Sequence, residues 1–254
     1  MGLIVTGSID CLTRRNRKYV VIIAQIGYSQ AETWAARVYG DAKPARMEDI
    51  PFLPGYGWMP VGTVEFCRAA MARQGIQEPD PIDYPFSLQE WIPYGGHYEI
   101  PYGDMPKGWT PENHQGLHGK PVRTKLPQQL WTPTTPFWTA PYHRFASEWR
   151  VYVLHGEIIG MGRYDDRDVD DDHAYPDMSV VHEMVNAYTK YDAPAGFGLD
   201  VGISEGPGGE TPFEDGRTKL VEVNDGWALG LYKGTCSARG YLELLKARWT
   251  EIAG

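Results

Sequence analysis

Thr218-Lys-Leu-Val-Glu-Val-Asn-Asp-Gly-Trp-Ala-Leu-Gly-Leu231 decides how this chain is read. An apolar run leads directly into Glu222-Val-Asn224-Asp225-Gly226. Side chains alternate across a strand, so Glu222 and Asn224 share one face while Val221 and Val223 pack behind them. Two oxygen donors on one strand face suit a hard cation such as Mg²⁺, which takes a few protein oxygens together with phosphate and water. The plainer alternative is a strand that ends in an Asn-Asp-Gly turn.

Upstream, Phe197-Gly-Leu-Asp-Val-Gly-Ile203 reads as a second strand. Leu199, Val201 and Ile203 take one face, and Asp200 takes the other between Gly198 and Gly202. Glycines on either side leave clearance for a ligand over the carboxylate. Asp200, Glu222 and Asn224 then form a candidate metal set for one or two Mg²⁺ ions. An exposed edge-strand aspartate is the alternative.

A hairpin precedes these strands. Glu148-Trp-Arg-Val-Tyr-Val-Leu154 and Glu157-Ile-Ile-Gly-Met-Gly-Arg-Tyr164 flank His155-Gly156, a two-residue turn. Counting from that turn pairs Leu154 with Glu157, Tyr152 with Ile159, Arg150 with Met161 and Glu148 with Arg163. Paired residues share a face, so Glu148, Arg150 and Arg163 are expected together. That cluster is either a surface ion-pair ladder or a phosphate clamp, because guanidinium forks match phosphate oxygens.

The remaining chain supplies the frame. Tyr19 to Ile26 reads as a buried strand and Gln30 to Val38 as a helix. Pro44 to Pro60 reads as a connector. A helix opens at Thr63 as N-cap, carries Val64, Cys67 and Met71 as its apolar stripe, and stops at Gly75. Gln77 to Pro85 is too proline-rich for regular structure, which divides the chain into an N-terminal region, 1–85, and a second domain, 86–254. Between Pro93 and Pro141, Pro, Gly, Trp and Tyr obscure any strand pattern. Later helices carry Val181, Met184, Val185 and Tyr188, then Leu242, Leu245 and Trp249. The element order favours α+β over a doubly wound parallel sheet.

Bulk properties narrow the function. At 254 residues, with 42% hydrophobic and 22% charged residues, the chain is long and apolar enough for a sizeable core. A net charge of −9 argues against general nucleic-acid or anionic-membrane binding. Three scattered cysteines give neither a zinc motif nor a disulfide framework, and a reducing cytoplasm is the expected compartment. No apolar run is long enough to span a bilayer and no signal peptide is evident. Asp165 to His173 lacks the glycine and glutamate of an EF-hand and reads as a solvated acidic loop. His114 and His118 would pair on zinc only from a helix, which Gly116 and Gly119 oppose.

Glu148-Trp-Arg150-Val-Tyr-Val, the Gly-Glu-Ile-Ile-Gly run to Arg163, Leu199-Asp200-Val-Gly and Leu220-Val-Glu222-Val-Asn224 together resemble the ATP-grasp superfamily. The similarity is strongest to its small phage and bacterial branch, named for one arginine and two lysines. Pro60-Val-Gly-Thr-Val-Glu-Phe and Asp83-Tyr-Pro resemble that branch too. The resemblance spans roughly residues 58 to 232. It implies an ATP-grasp fold, two α+β lobes clamping ATP, after a smaller N-terminal α/β region. It implies ATP-dependent ligation of a small-molecule or peptide carboxylate to an amine through an acyl phosphate. Asp200, Glu222 and Asn224 would hold Mg²⁺. Arg150 would be the branch's arginine and Arg163 a second phosphate contact, with Glu148 beside them. Lys120 and Lys125 would be the two lysines, and Pro141 to Phe145, with Tyr142 and Phe145, would lie beside adenine. Two departures stand out: Asn113 to Gly119 replaces an apolar strand before Lys120-Pro121, and Leu126-Pro-Gln-Gln follows Lys125 where a Phe-Thr-Gly-like turn is usual. These departures favour, as an alternative function, a nucleotide-binding module without turnover. The nine Trp and sixteen Tyr raise a carbohydrate-binding alternative, but no carboxylate pair is singled out for glycoside hydrolysis.

Overall fold

A short parallel sheet begins the fold. The computed structural model describes residues 21–28, 30–93, 98–122, 128–165, 175–191, 193–205 and 218–254. Strands β1 (Val21–Gln25), β2 (Lys43–Ala45) and β3 (Trp58–Val61) pair in the order β2-β1-β3. Helices α1 (Ala31–Tyr39) and α2 (Val64–Gln74) accompany them. Thr63 caps α2, its hydroxyl accepting the Phe66 N–H at 3.2 Å. Gly75 ends the helix in the left-handed region at φ 65°. The buried stripe is Phe66, Cys67, Ala70 and Met71. Val64, expected in that stripe, is only half-buried, because the helix phase turns Phe66 to the core instead.

The proline-rich middle forms a small antiparallel sheet. Strands β4 (Tyr98–Pro101), β5 (Leu117–Pro121) and β6 (Pro136–Pro141) pair in the order β4-β6-β5. Met105, Trp109 and Phe137 are its buried core, with Trp131 and Tyr102 packed alongside. The aromatics of this stretch are therefore largely packing residues.

The main sheet is antiparallel, in the order β10-β9-β7-β8. It comprises β7 (Phe145–Leu154), β8 (Glu157–Arg163), β9 (Gly196–Ser204) and β10 (Thr218–Asp225). One face carries Trp149, Val151, Val153, Leu199, Val201, Leu220 and Val223. Helix α3 (Met178–Thr189) covers it with Val181, Met184, Val185 and Tyr188, the stripe expected from the sequence. Each such fully buried aliphatic side chain contributes about 1.5–3 kcal/mol. On the other face, Tyr152 and Leu229 pack with α4 (Ala238–Ala253), whose Leu242, Leu245 and Trp249 are buried as expected. Helix α4 also seats against Ala35 and Ala36 of α1, so the same core joins the early and late parts of the chain.

Two of the three register shifts in the main sheet reset the faces of candidate site residues. The β7–β8 turn is as expected, with His155 and Gly156 both at positive φ and Leu154 opposite Glu157. Beyond it, Val153 pairs with Ile158 but Tyr152 pairs with Gly160, leaving Ile159 as an extra residue. Arg150 therefore faces Gly162, and Arg163 faces Trp149. The expected pairs Arg150–Met161 and Glu148–Arg163 are each one residue out of step, which turns Arg163 to the face opposite Arg150.

A second bulge lies in β10. Leu220 pairs with Val201 and Glu222 with Asp200, so Val221 is the extra residue. Without it Glu222 would lie opposite Leu199 on the core face. The bulge brings Glu222 to the face of Asp200 and makes Leu220, not Val221, the partner of Val223 in the core.

Candidate active site

Arg150 and Asp200 lie directly opposite each other on β7 and β9. Arg150 Nε and Nη2 donate to the two Asp200 oxygens at 2.8 and 2.6 Å, a bidentate fork. Both side chains are buried, at 8% and 1% exposure. Burial pushes the Asp200 carboxyl up to about 6, with the Arg150 charge working against that rise and Glu222 and Glu148 adding to it. The Arg150 guanidinium pays a desolvation penalty as well, but its bonds to Asp200 outweigh that and keep it charged.

Asn224 joins the strands into one cluster. Its Nδ2 donates to Asp200 at 3.0 Å and to Glu222 at 2.9 Å. Lys120 reaches the cluster from β5. Its Nζ donates to Glu222 Oε2 at 2.6 Å and to Asp83 Oδ1 at 2.8 Å, and lies 4.8 Å from the Tyr84 ring centre. Burial disfavours the charge on both Lys120 and Glu222, yet their attraction prevails: the lysine is raised and the glutamate lowered from their ordinary values.

Two tyrosines wall the arginine side. Tyr164 and Tyr232 stack with centres 5.0 Å apart, and Arg150 Cζ lies 5.5 and 5.1 Å from them. The Tyr164 hydroxyl donates to Glu148 at 2.8 Å. From beneath, the buried Tyr152 hydroxyl bonds Gly230 O, Tyr232 N and Thr235 Oγ1, each at 3.1 Å, which anchors the loop that carries Tyr232.

A cavity of about 120 Å³ opens beside Glu222. Tyr84, His118, Lys120, Phe145 and Val221 are among its walls, between β5–β6 and β10. Burial and the nearby Lys120 charge hold the His118 imidazole below its ordinary value, favouring the neutral ring.

Among the described residues, no three of His, Cys, Asp and Glu are arranged to hold a metal. Here the third oxygen donor belongs to an asparagine. Among the described residues, four carboxylates, Asp83, Glu148, Asp200 and Glu222, meet two cations, Lys120 and Arg150. The hard oxygen donors and the excess negative charge fit a divalent cation such as Mg²⁺ with phosphate completing its shell.

Asp200, Glu222, Asn224, Arg150, Lys120 and Glu148 are thus brought together, and Phe145 lines the adjoining cavity. Arg163 is not with them. It forks onto Asp165 at 2.7 and 2.8 Å. Tyr142 stacks on His114, ring centres 3.6 Å apart, and is not a wall of that cavity. Lys125 lies outside the described residues, as does the acidic stretch from 166 to 174. The clearance expected around Asp200 is also filled. A Cβ at Gly198 would strike Leu229, and one at Gly202 would strike the Phe145 ring. Those glycines admit packing side chains from the chain itself.

Sequence reasoning missed Asp83, Tyr84, Tyr164 and Tyr232. An aspartate between apolar neighbours in a proline-rich stretch, Pro81-Ile-Asp-Tyr-Pro85, was the available signal for the first two. Nothing local marks the tyrosines, which meet only through the fold.

No helix among the described residues is long and apolar enough to cross a membrane. Comparison with known proteins gives a family-model match over residues 46–252, to the ATP-grasp domain, family 3 of the clade named for one arginine and two lysines. No curated protein matches the chain. Among solved structures, the ATP-grasp ligase PsnB complexed with minimal precursor is similar at TM-score 0.48 and 13% identity, over 90% of this chain and 99% of that one. D-alanine–D-alanine ligase from Bacillus anthracis gives 0.47 and 12%, over 92% and 97%. Macrocyclase MdnC from Microcystis aeruginosa MRC, bound with precursor peptide MdnA, gives 0.47 and 11%, over 89% and 98%. Because the family model spans most of the sequence, with the grouped strand residues inside it, the chain belongs to the ATP-grasp domain family, in family 3 of the one-arginine, two-lysine clade.

Proposed function

We propose that the protein is an Mg²⁺-dependent ligase that uses ATP to join a carboxylate to an amine through an acyl phosphate. The observation that carries this reading is the convergence of Asp200, Glu222 and Asn224 with Arg150 and Lys120 beside a cavity. Transfer of a γ-phosphoryl group to a carboxylate brings anions together, so the site must neutralise them.

Each residue has a role in that task. Asp200, Glu222 and Asn224 would hold one or two Mg²⁺ ions, which neutralise charge on the phosphates when bound. Arg150 keeps Nε and Nη2 on Asp200, and its Nη1 would meet a phosphate oxygen. Lys120 directs a second positive charge at the same region. Phe145 and His118 line the cavity in which we infer the adenine sits. Tyr164 and Tyr232 limit water on the arginine side, which protects an acyl phosphate until the amine attacks. Lys125 is retained as a second phosphate lysine, on the strength of the family resemblance. Arg163 is set aside because it shares a face with Trp149. The division into residues 1–85 and 86–254 forms part of this reading, and the acid and amine are small molecules or peptides. The precursor complexes of PsnB and MdnC make peptides the first substrates to test.

Thermal-shift measurements with Mg·ATP and Mg·ADP test the proposal, on the wild type and on Glu222→Ala. Stabilisation of the wild type, lost in the variant, is expected. ADP and phosphate release that requires both an acid and an amine would establish the ligase. Binding without turnover across acid and amine libraries would instead make the chain a nucleotide-binding module.

A further inference from the structure

We propose that Asp83 is a positioning residue for Lys120, holding the ammonium at the nucleotide cavity when Glu222 turns to a cation. The inference rests on the nucleotide reading given above. Asp83 is 4% exposed and lies in a proline-rich segment for which the sequence suggests a family resemblance but no role.

Its backbone is unusual. Asp83 has φ 43°, in the left-handed region that non-glycine residues rarely enter and Asp and Asn tolerate best. In that conformation its carbonyl accepts the Val223 N–H at 2.8 Å, an isolated antiparallel bridge to β10. Val223 sits between Glu222 and Asn224. Among the described residues β10 has β9 as its only strand neighbour, so this bridge braces its other side at the two candidate ligands. The same residue sends its carboxylate to Lys120 Nζ, 37 positions away in another sheet.

Lys120 thus rests between two carboxylates from separate segments, Asp83 at 2.8 Å and Glu222 at 2.6 Å. The other Glu222 oxygen already meets Asn224. A divalent cation on Glu222 draws that glutamate away from the lysine. A buried ammonium that loses its only anion is costly. Asp83 supplies the second anion, so Lys120 stays beside the Tyr84 ring and still borders the cavity. The aspartate touches neither nucleotide nor substrate in this scheme. It acts through the lysine.

Asp83→Asn removes the charge and keeps a residue suited to positive φ. Asp83→Gly removes the side chain and relaxes the backbone, which guards against misfolding of the first variant. Binding of Mg·AMP-PNP by calorimetry is measured for the wild type, both variants, Lys120→Met and Lys120→Met/Asp83→Asn. Both Asp83 variants are expected to weaken binding by about tenfold, the scale of one charge-assisted hydrogen bond. With Lys120 already replaced, Asp83→Asn is expected to add no further loss. Equal affinity in wild type, Asp83→Asn and Asp83→Gly overturns this inference alone. An undiminished effect of Asp83→Asn in the Lys120→Met background overturns action through the lysine. Absence of Mg·AMP-PNP binding by the wild type overturns both this inference and the nucleotide reading.

Discussion

Arg150–Asp200 and Lys120–Glu222 each pair a cation with a candidate metal ligand, but they are built differently. The first is a direct cross-strand pair inside one sheet, closed on both sides and almost fully buried. The second joins β5 to β10 across 102 residues and borders a cavity, with side chains 16% and 26% exposed. The sheet holds Arg150 whatever happens in the cavity. Lys120 keeps its place only while separate segments stay together. One half of the site is therefore a rigid wall, and the other is a junction that can respond to a ligand.

The strongest challenge to this contrast is Asp200→Ala. It leaves a buried guanidinium without its anion and is expected to cost about 3–5 kcal/mol in urea unfolding. Glu222→Ala, nearer to water and with Asp83 still on the lysine, is expected to cost clearly less without nucleotide. Equal losses would erase the distinction between wall and junction. Next in size is the ligand effect at the junction. At a hundredfold excess over Kd, Mg·ADP is expected to stabilise the wild type by about 2.7 kcal/mol, read as a concentration-dependent Tm. That gain should vanish in Glu222→Ala. A smaller effect probes the wall. Tyr232→Ala removes one of the two rings beside Arg150, for a loss of about 1 kcal/mol in the same unfolding assay. Smallest is Arg163→Ala. Its fork onto Asp165 is half-buried but lies apart from the cluster, so about 1 kcal/mol or less is expected, with the Mg·ADP shift unchanged. A lost shift in that variant would return Arg163 to the phosphate site.

What the sequence revealed follows the same divide. Within one strand, alternation is enough: Glu222 with Asn224, and Asp200 against Leu199 and Val201, were legible from spacing alone. Between strands it is not. Counting back from His155–Gly156 put Arg163 beside Glu148, because a count cannot detect the extra Ile159. The Val221 bulge hid in the same way, although Leu220 and Val223, three apart and both in the core, are its trace. The caps at Thr63 and Gly75 were readable because each is a local hydrogen-bonding or backbone demand. The sheet β4-β6-β5 was not, since Pro136 and Pro141 bound β6 and its partners lack alternation. Asp83 was hidden for a different reason. Its carbonyl and carboxylate partners are supplied by residues far along the chain.

The seating of α4 on α1 has a consequence for how the molecule is made. Ala35 and Ala36 find their covering surface in Leu242 and Leu245, about two hundred residues downstream. At roughly 5–20 residues per second, a ribosome needs on the order of ten to forty seconds to deliver it. Through that interval Ala35 and Ala36 of the nascent α1 lack the surface that covers them in the finished fold.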